Sequence, residues 1–143
     1  MELKPGLEGI AETTVETADT ALEVGSGSLR VYATPCLAAM MEGAACACLE
    51  GALPEGQTSV GTRLDLRHTA ATPVGMDVRA VAKLTAVEGR KLTFEIEAFD
   101  ESGPIGTASH ERFIVNEERF LQKAYDKLGK KGCPPGSTKS PLL

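Results

Sequence analysis

Residues 34–54 read "TPCLAAMMEGAACACLEGALP", and this stretch decides the fold. Thr34 suits a helix N-cap, Pro35 suits the first helical position, and Gly51 and Pro54 mark the stop. Leu37, Met40, Met41, Ala44, Ala45, Cys48, Leu49 and Ala52 fall on one helical stripe. The other positions hold Ala38, Ala39, Gly43, Cys46 and Ala47, so the helix is small and apolar nearly all round. Such a helix is expected to be buried.

On either side of it the pattern changes to a period of two. Residues 7–17 have weak strand character, and Gly25 to Ser28 in the following segment is a flexible loop signal. After the helix, Val60, Thr62, Leu64, Leu66 and His68 alternate with Arg63, Asp65 and Arg67. "AATPVG" turns the chain, and Val74, Met76, Val78, Ala80, Ala82 and Leu84 form the next apolar face. The segment 87–91 is a hairpin signal leading to Leu92, Phe94, Ile96 and Ala98, and 105–116 reads as a last strand. A short amphipathic segment, "EERFLQKAYDKL", follows. One face of an antiparallel meander must be covered, and a single apolar helix is available to cover it. The expected architecture is α+β: a curved antiparallel sheet wrapped around one central helix, forming one domain over residues 1–128. Residues 129–143, rich in Gly, Pro, Ser and Lys, are expected to be a disordered tail.

Composition narrows the function classes. The chain of 143 residues carries a net charge of −5 and 4% aromatics with no Trp, which argues against nucleic acid as a partner. The start has no secretory apolar core, and the longest apolar stretch is broken by Glu42, Gly43 and Glu50, so neither export nor a membrane span is expected. Cys46 and Cys48 point to different helix faces, and no CxxC occurs among the four cysteines. A reduced, cytoplasmic setting without a zinc site is the expectation.

Five residues stand out as candidates. Glu42 is the only charge between Arg30 and Glu50. A carboxylate there must be paired, hydrogen-bonded, protonated or placed at a cleft. His68 closes the apolar face of its strand beside a Pro/Gly turn, where it is either a satisfied core side chain or a base at a cleft. Thr34 either caps the helix or stands at an N-terminus suited to an oxyanion or phosphate. Gly61 interrupts a strand and marks either a bulge or a close approach of ligand to backbone. Arg112, within Ser109 to Arg112, has three readings: a surface ion pair, a pair with Glu42, or a phosphate contact.

The run "SVGTRLDLRHTAATPVGMDVRAVAKLTAVEGRKLTFEIEAFDESGPIGTASHERF" (59–113) resembles the fluoroacetyl-CoA thioesterase family of hotdog-fold proteins, and "ATPCLAAMMEGAACA" is similar to its central helix. The "RHTAATPVG" turn, the "VEGRKL" hairpin and the "HER" near the last strand are its most specific parts. The resemblance implies an acyl-CoA thioesterase that needs no metal or other cofactor and works as a homodimer with its active sites at the interface. It implies catalytic roles for Thr34, Glu42 and His68, with Gly61 near the thioester and Arg112 at the rim. The family's fluoroacetate specialists carry a phenylalanine-bearing lid before the helix. Here residues 16–34 hold only Tyr32 as an aromatic, so a broader small acyl-CoA is expected. An acyl-CoA-binding protein and a hotdog dehydratase are the alternatives on the same scaffold. Thr34 and Glu42, eight residues apart, would be separated by about 12 Å along one helix. Either Thr34 lies on a loop that folds back, or one site draws on two chains.

Overall fold

The computed structural model describes residues 2–129. The elements run β1 (Glu8–Thr14), a 3-10 turn (Thr17–Asp19), α1 (Ala21–Val24), α2 (Thr34–Cys48), β2 (Gln57–His68), β3 (Asp77–Glu88), β4 (Lys91–Asp100), β5 (Gly103–Asn116) and α3 (Glu117–Gly129). The five strands form one sheet in the order β1-β3-β4-β5-β2, and each neighbouring pair is antiparallel. β1 and β2 are therefore its edges.

The alternation works as expected in β3 and β4. Val78, Ala80, Ala82 and Leu84 of β3 and Leu92, Phe94, Ile96 and Ala98 of β4 are all buried against α2. From α2 itself Leu37, Met40, Met41, Ala44, Ala45 and Cys48 fill the core. Cys48 also donates its thiol to the Ala82 carbonyl at 3.4 Å, which ties the helix to β3. The helix meets β1 even more closely. A Cβ added at Gly9 would lie 2.4 Å from the Ala44 carbonyl oxygen and 2.4 Å from the Cys48 nitrogen, so only glycine lets the two backbones touch.

Four expectations need correction. The helix is not enclosed all round: Ala39, Gly43 and Cys46 are exposed, because the sheet covers one side of a cylinder. Its last turn ends at Cys48 rather than Gly51, with Leu49 as the C-cap and Gly51 at φ 77° in the turn beyond. Val74 and Met76 precede β3, and Val74 is exposed, because the positive φ of Gly75 still belongs to the turn. The fourth concerns β2, where the register against β5 shifts between Gly61 and Arg63. Thr62 is the extra residue, and a bulge reverses which side chains face inward. Leu64, Leu66 and His68 face α2 as expected, but on the other side of the bulge it is Ser59 and Gly61 that do so, not Val60. The amphipathic segment forms α3, whose Phe120, Leu121, Tyr125 and Leu128 are exposed. Of the expected tail, Gly129 ends α3 and the rest lies outside the described residues.

Candidate active site

The segment between β1 and α2 makes one wall of a cleft. Thr20 caps α1 by accepting from the Glu23 amide, and Gly25 ends that helix at φ 86°. The returning chain is pinned by bridges between Thr20 and Tyr32 and between Val31 and Pro73. Tyr32 is buried and donates its hydroxyl to the Cys36 carbonyl at 3.3 Å. Burial pushes that hydroxyl up to about 12, with Cys36 and Asp19 adding to the shift, so it stays a donor. Ala21, Ser26, Val31, Tyr32, Thr34 and His68 line the cleft, whose volume is about 340 Å³.

Thr34 is the first residue of α2, and the N-cap is Ala33, which makes no side-chain cap bond. The capping explanation of Thr34 therefore falls away. Its Oγ1 instead lies 2.8 Å from His68 Nδ1. At the end of β2, His68 pairs with Gly106 of β5. A Cβ on Gly106 would lie 2.7 Å from the Arg67 carbonyl oxygen and 3.2 Å from Leu37 Cδ2, so the glycine gives room to the end of β2 and to Leu37 of α2 beside the histidine. Burial holds the His68 imidazole below its ordinary value, opposed by a backbone bond at Ala70. The ring is thus neutral at neutral pH, the form that can take a proton. Its buried Nε2 has no partner among the described residues. Pro35 has no N–H, and those of Cys36 and Leu37 donate to the Ala33 carbonyl. The helix start therefore offers less to an oxyanion than the sequence suggests.

Glu42 sits two turns further along α2 and belongs to a different cluster. Its Oε1 accepts from Arg112 Nη1 at 3.2 Å, with the carboxylate side chain 42% exposed and the arginine side chain 8% exposed. So Arg112 takes neither a surface pair nor a free position: it joins Glu42 in a partly buried bond. Arg112 also donates from Nε to Ser59 Oγ at 2.8 Å and from Nη2 to the Ser59 carbonyl at 3.1 Å. His110, buried beside it, completes the group through Arg112 Nη1 at 3.2 Å. Gly61 lies directly over these side chains. A Cβ there would stand 2.8 Å from Glu42 Oε1 and 3.3 Å from Arg112 Nη1. The bulge reading of Gly61 holds, and what approaches its backbone in the structure is this set of side chains.

The five candidates thus form two groups in one chain, Thr34 with His68 and Glu42 with Arg112 and Gly61. Sequence reading left His110 and Ser59 out of the site. His110 carried a signal, because it shares strand parity with Arg112; Ser59 carried none, because the bulge hid its direction. Among the described residues no group of His, Cys, Asp and Glu is arranged to hold a metal ion, and Cys36, Cys46 and Cys48 are free thiols.

A profile of the fluoroacetyl-CoA-specific thioesterase family matches residues 15–118. The fluoroacetyl-CoA thioesterase of Streptantibioticus cattleyicolor is 38% identical over 97 residues, covering 68% of this chain and 70% of that protein. Among solved structures, a mutant of the fluoroacetyl-CoA-specific thioesterase FlK superposes with a TM-score of 0.83 at 30% identity, covering 89% of this chain and 98% of that one. The same enzyme in a mutant complex with fluoroacetate and CoA gives 0.78 at 31% identity over 82% and 99% of the two chains. A thioesterase superfamily member from Thermus thermophilus gives 0.81 at 28% identity over 90% and 97%. With its helix held in a curled five-stranded antiparallel sheet, this chain belongs to the fluoroacetyl-CoA-specific thioesterase family of hotdog-fold proteins.

Proposed function

We propose that the protein hydrolyses short acyl-CoA thioesters to the free acid and CoA, in a homodimer whose sites combine Thr34 and His68 of one protomer with Glu42 of the other. The observation that carries this reading is the 2.8 Å contact between Thr34 Oγ1 and the neutral His68 at the mouth of the cleft. His68 Nδ1 takes the proton of the Thr34 hydroxyl, or of a water in its place, as that oxygen attacks the acyl carbon. The C–S bond breaks, and the departing CoA sulfur receives the proton from the imidazolium. If Thr34 carries the acyl group, water repeats the step and releases the acid. A thioester already has a good leaving group, so the reading requires no metal. A main-chain N–H at Gly61 is the proposed donor to the oxyanion.

Two facts support the division between protomers. Glu42 and Thr34 lie on the same straight element, α2, about 12 Å apart along its axis. β2, which carries His68 and Gly61, is an edge strand with unpaired main-chain groups available to a second copy. A homodimer in the cytoplasm suits the free thiols Cys36, Cys46 and Cys48. Gly61 is assigned to the rim of the site, and Arg112, whose nitrogens are committed to Ser59, His110 and Glu42, is assigned to holding Glu42 there.

The acyl preference is proposed to be broad. No phenylalanine occurs between Glu16 and Thr34, and Tyr32, the aromatic of that segment, has its hydroxyl committed to Cys36. The test is a panel of acyl-CoAs followed by free-thiol release, with Glu42→Ala and His68→Ala alongside. Wild type should turn over acetyl-CoA and fluoroacetyl-CoA with kcat/KM values within about tenfold of each other, and each variant should lose at least about 100-fold. Chelator should leave the wild-type rate unchanged. Turnover by wild type no faster than by the variants would sink the hydrolase reading, and binding without release would indicate a carrier. Hydration of an enoyl-CoA without CoA release would point to the dehydratase.

A further inference from the structure

The cluster beneath Gly61 contains a histidine to which the thioester mechanism assigns nothing. His110 is 1% exposed and faces α2 from β5. Its Nδ1 is 2.7 Å from the main-chain carbonyl of Arg63, the residue that follows the extra Thr62 and pairs with Glu111. A carbonyl only accepts, so Nδ1 carries the ring proton. On the opposite side, Nε2 is 3.2 Å from Arg112 Nη1. A guanidinium only donates, so Nε2 presents its lone pair. The two neighbours fix one neutral tautomer, and a second ring proton would set N–H against N–H.

Arg112, itself 6% exposed, is then held on every nitrogen. Nε and Nη2 donate to Ser59, while Nη1 has two hydrogens, one directed at His110 and one at Glu42 Oε1. Without an acceptor at His110, the hydrogen of Nη1 that faces it would be left buried and unpaired, and the guanidinium would turn to recover a partner. Glu42, half-exposed and tied to this cluster through Nη1, would move with it.

We propose that His110 is a positioning residue for Glu42: anchored to the bulge carbonyl of Arg63, it sets the rotation of Arg112, which aims the carboxylate. This deepens the thioesterase reading and rests on it. The role ties the bulge to the reaction, since the same irregularity that brings Gly61 over Glu42 also presents the carbonyl that orients His110.

Two variants separate positioning from packing. His110→Asn can still donate to the Arg63 carbonyl but is too short to reach Arg112. His110→Gln places an amide oxygen where Nε2 stands. With acetyl-CoA as the probe, His110→Asn is expected to lose about 10- to 100-fold in kcat with KM within about threefold of wild type. His110→Gln is expected to recover at least about a third of the wild-type kcat. Nitrogen NMR of Arg112 should resolve distinct, slowly exchanging Nη signals in wild type and His110→Gln, and merged signals in His110→Asn. A folded His110→Asn with kcat within about twofold of wild type would overturn the proposal, as would a loss confined to KM or distinct Nη signals that persist in that variant. Wild type inactive across the whole panel would instead sink the thioesterase reading, and the Arg112 signals alone would then decide whether His110 holds the guanidinium.

Discussion

Gly61 lets stability be separated from chemistry at the level of one atom. Its backbone is extended, so alanine introduces no conformational strain, and the nearest obstacle to the new Cβ is Glu42 Oε1 at 2.8 Å, the end of a flexible side chain. Gly61→Ala should therefore shift the melting temperature by no more than about 3 °C while lowering kcat by about 10- to 100-fold, because the carboxylate is what gives way. Differential scanning fluorimetry and thiol release on the same sample check both halves. The two histidines set the pH response. Desolvation holds both His68 and His110 below the ordinary imidazole value. The unfolded chain then takes up protons that the folded chain refuses, so stability is full above about pH 6.5 and falls as pH drops through that value. The rate should rise with pH as His68 loses its proton, with the midpoint of kcat/KM below about 6.5. A midpoint above that value would remove His68 as the base. At this scale the sequence displayed Thr34, Glu42, His68, Gly61 and Arg112 as oddities of type or position. What it could not display was that Thr34 turns to His68 and leaves the cap empty, since a hydroxyl satisfies either role equally well.

Among the elements, α2 meets β3 and β4 through side chains such as Leu37, Met41, Leu84 and Phe94, but it meets β1 by close approach of the two backbones. Alanine at position 9 would drive a Cβ into the main chain of α2 at Ala44 and Cys48, and main chain cannot yield as a side chain does. Gly9→Ala should cost about 1–3 kcal/mol, read as a lowered urea midpoint with an unchanged m-value. No midpoint shift would show that β1 can slide along α2 at no cost. The legibility of each element follows the same physics. β3 and β4 lie inside the sheet, and their buried faces, Val78 to Leu84 and Leu92 to Ala98, impose strict alternation that any reading recovers. β2 is an edge strand with a bulge, and an inserted residue reverses parity without leaving a compositional mark beyond the glycine beside it. The alternation therefore points Val60 inward, and the structure turns Ser59 and Gly61 that way instead. The helix itself was legible because its stripe is long, but its exposed side, Ala39, Gly43 and Cys46, looks as apolar in sequence as the buried side.

For the whole molecule, the separation of the two groups makes a quantitative demand on the assembly. If each site takes Glu42 from one protomer and His68 from the other, a dimer of one Glu42→Ala chain and one His68→Ala chain contains one intact site and one doubly damaged site. Unfolding and refolding an equal mixture of the two inactive proteins should then restore about one quarter of the wild-type activity, since half the dimers are mixed and half their sites intact. Recovery of nothing, with mixed dimers demonstrated by mass, would assign Glu42 and His68 of one chain to the same site. The exposed apolar residues of α3 and of the cleft wall, Leu22, Val24 and Leu29, lie at the surface of the single chain.

That Thr34 and Glu42 share one uninterrupted helix has a further effect. The helix is a rigid ruler, and its phase is locked by the stripe from Leu37 to Cys48 pressed on the sheet. One residue inserted between the two would rotate everything beyond it by about 100°, lifting either the hydroxyl or the carboxylate off its bearing. On the proposed reading, accommodation of longer or bulkier acyl groups is thus closed along α2 and open along the 25–28 turn, between the pinned Thr20 and Tyr32, where the chain can lengthen while Thr34 and Glu42 keep their spacing.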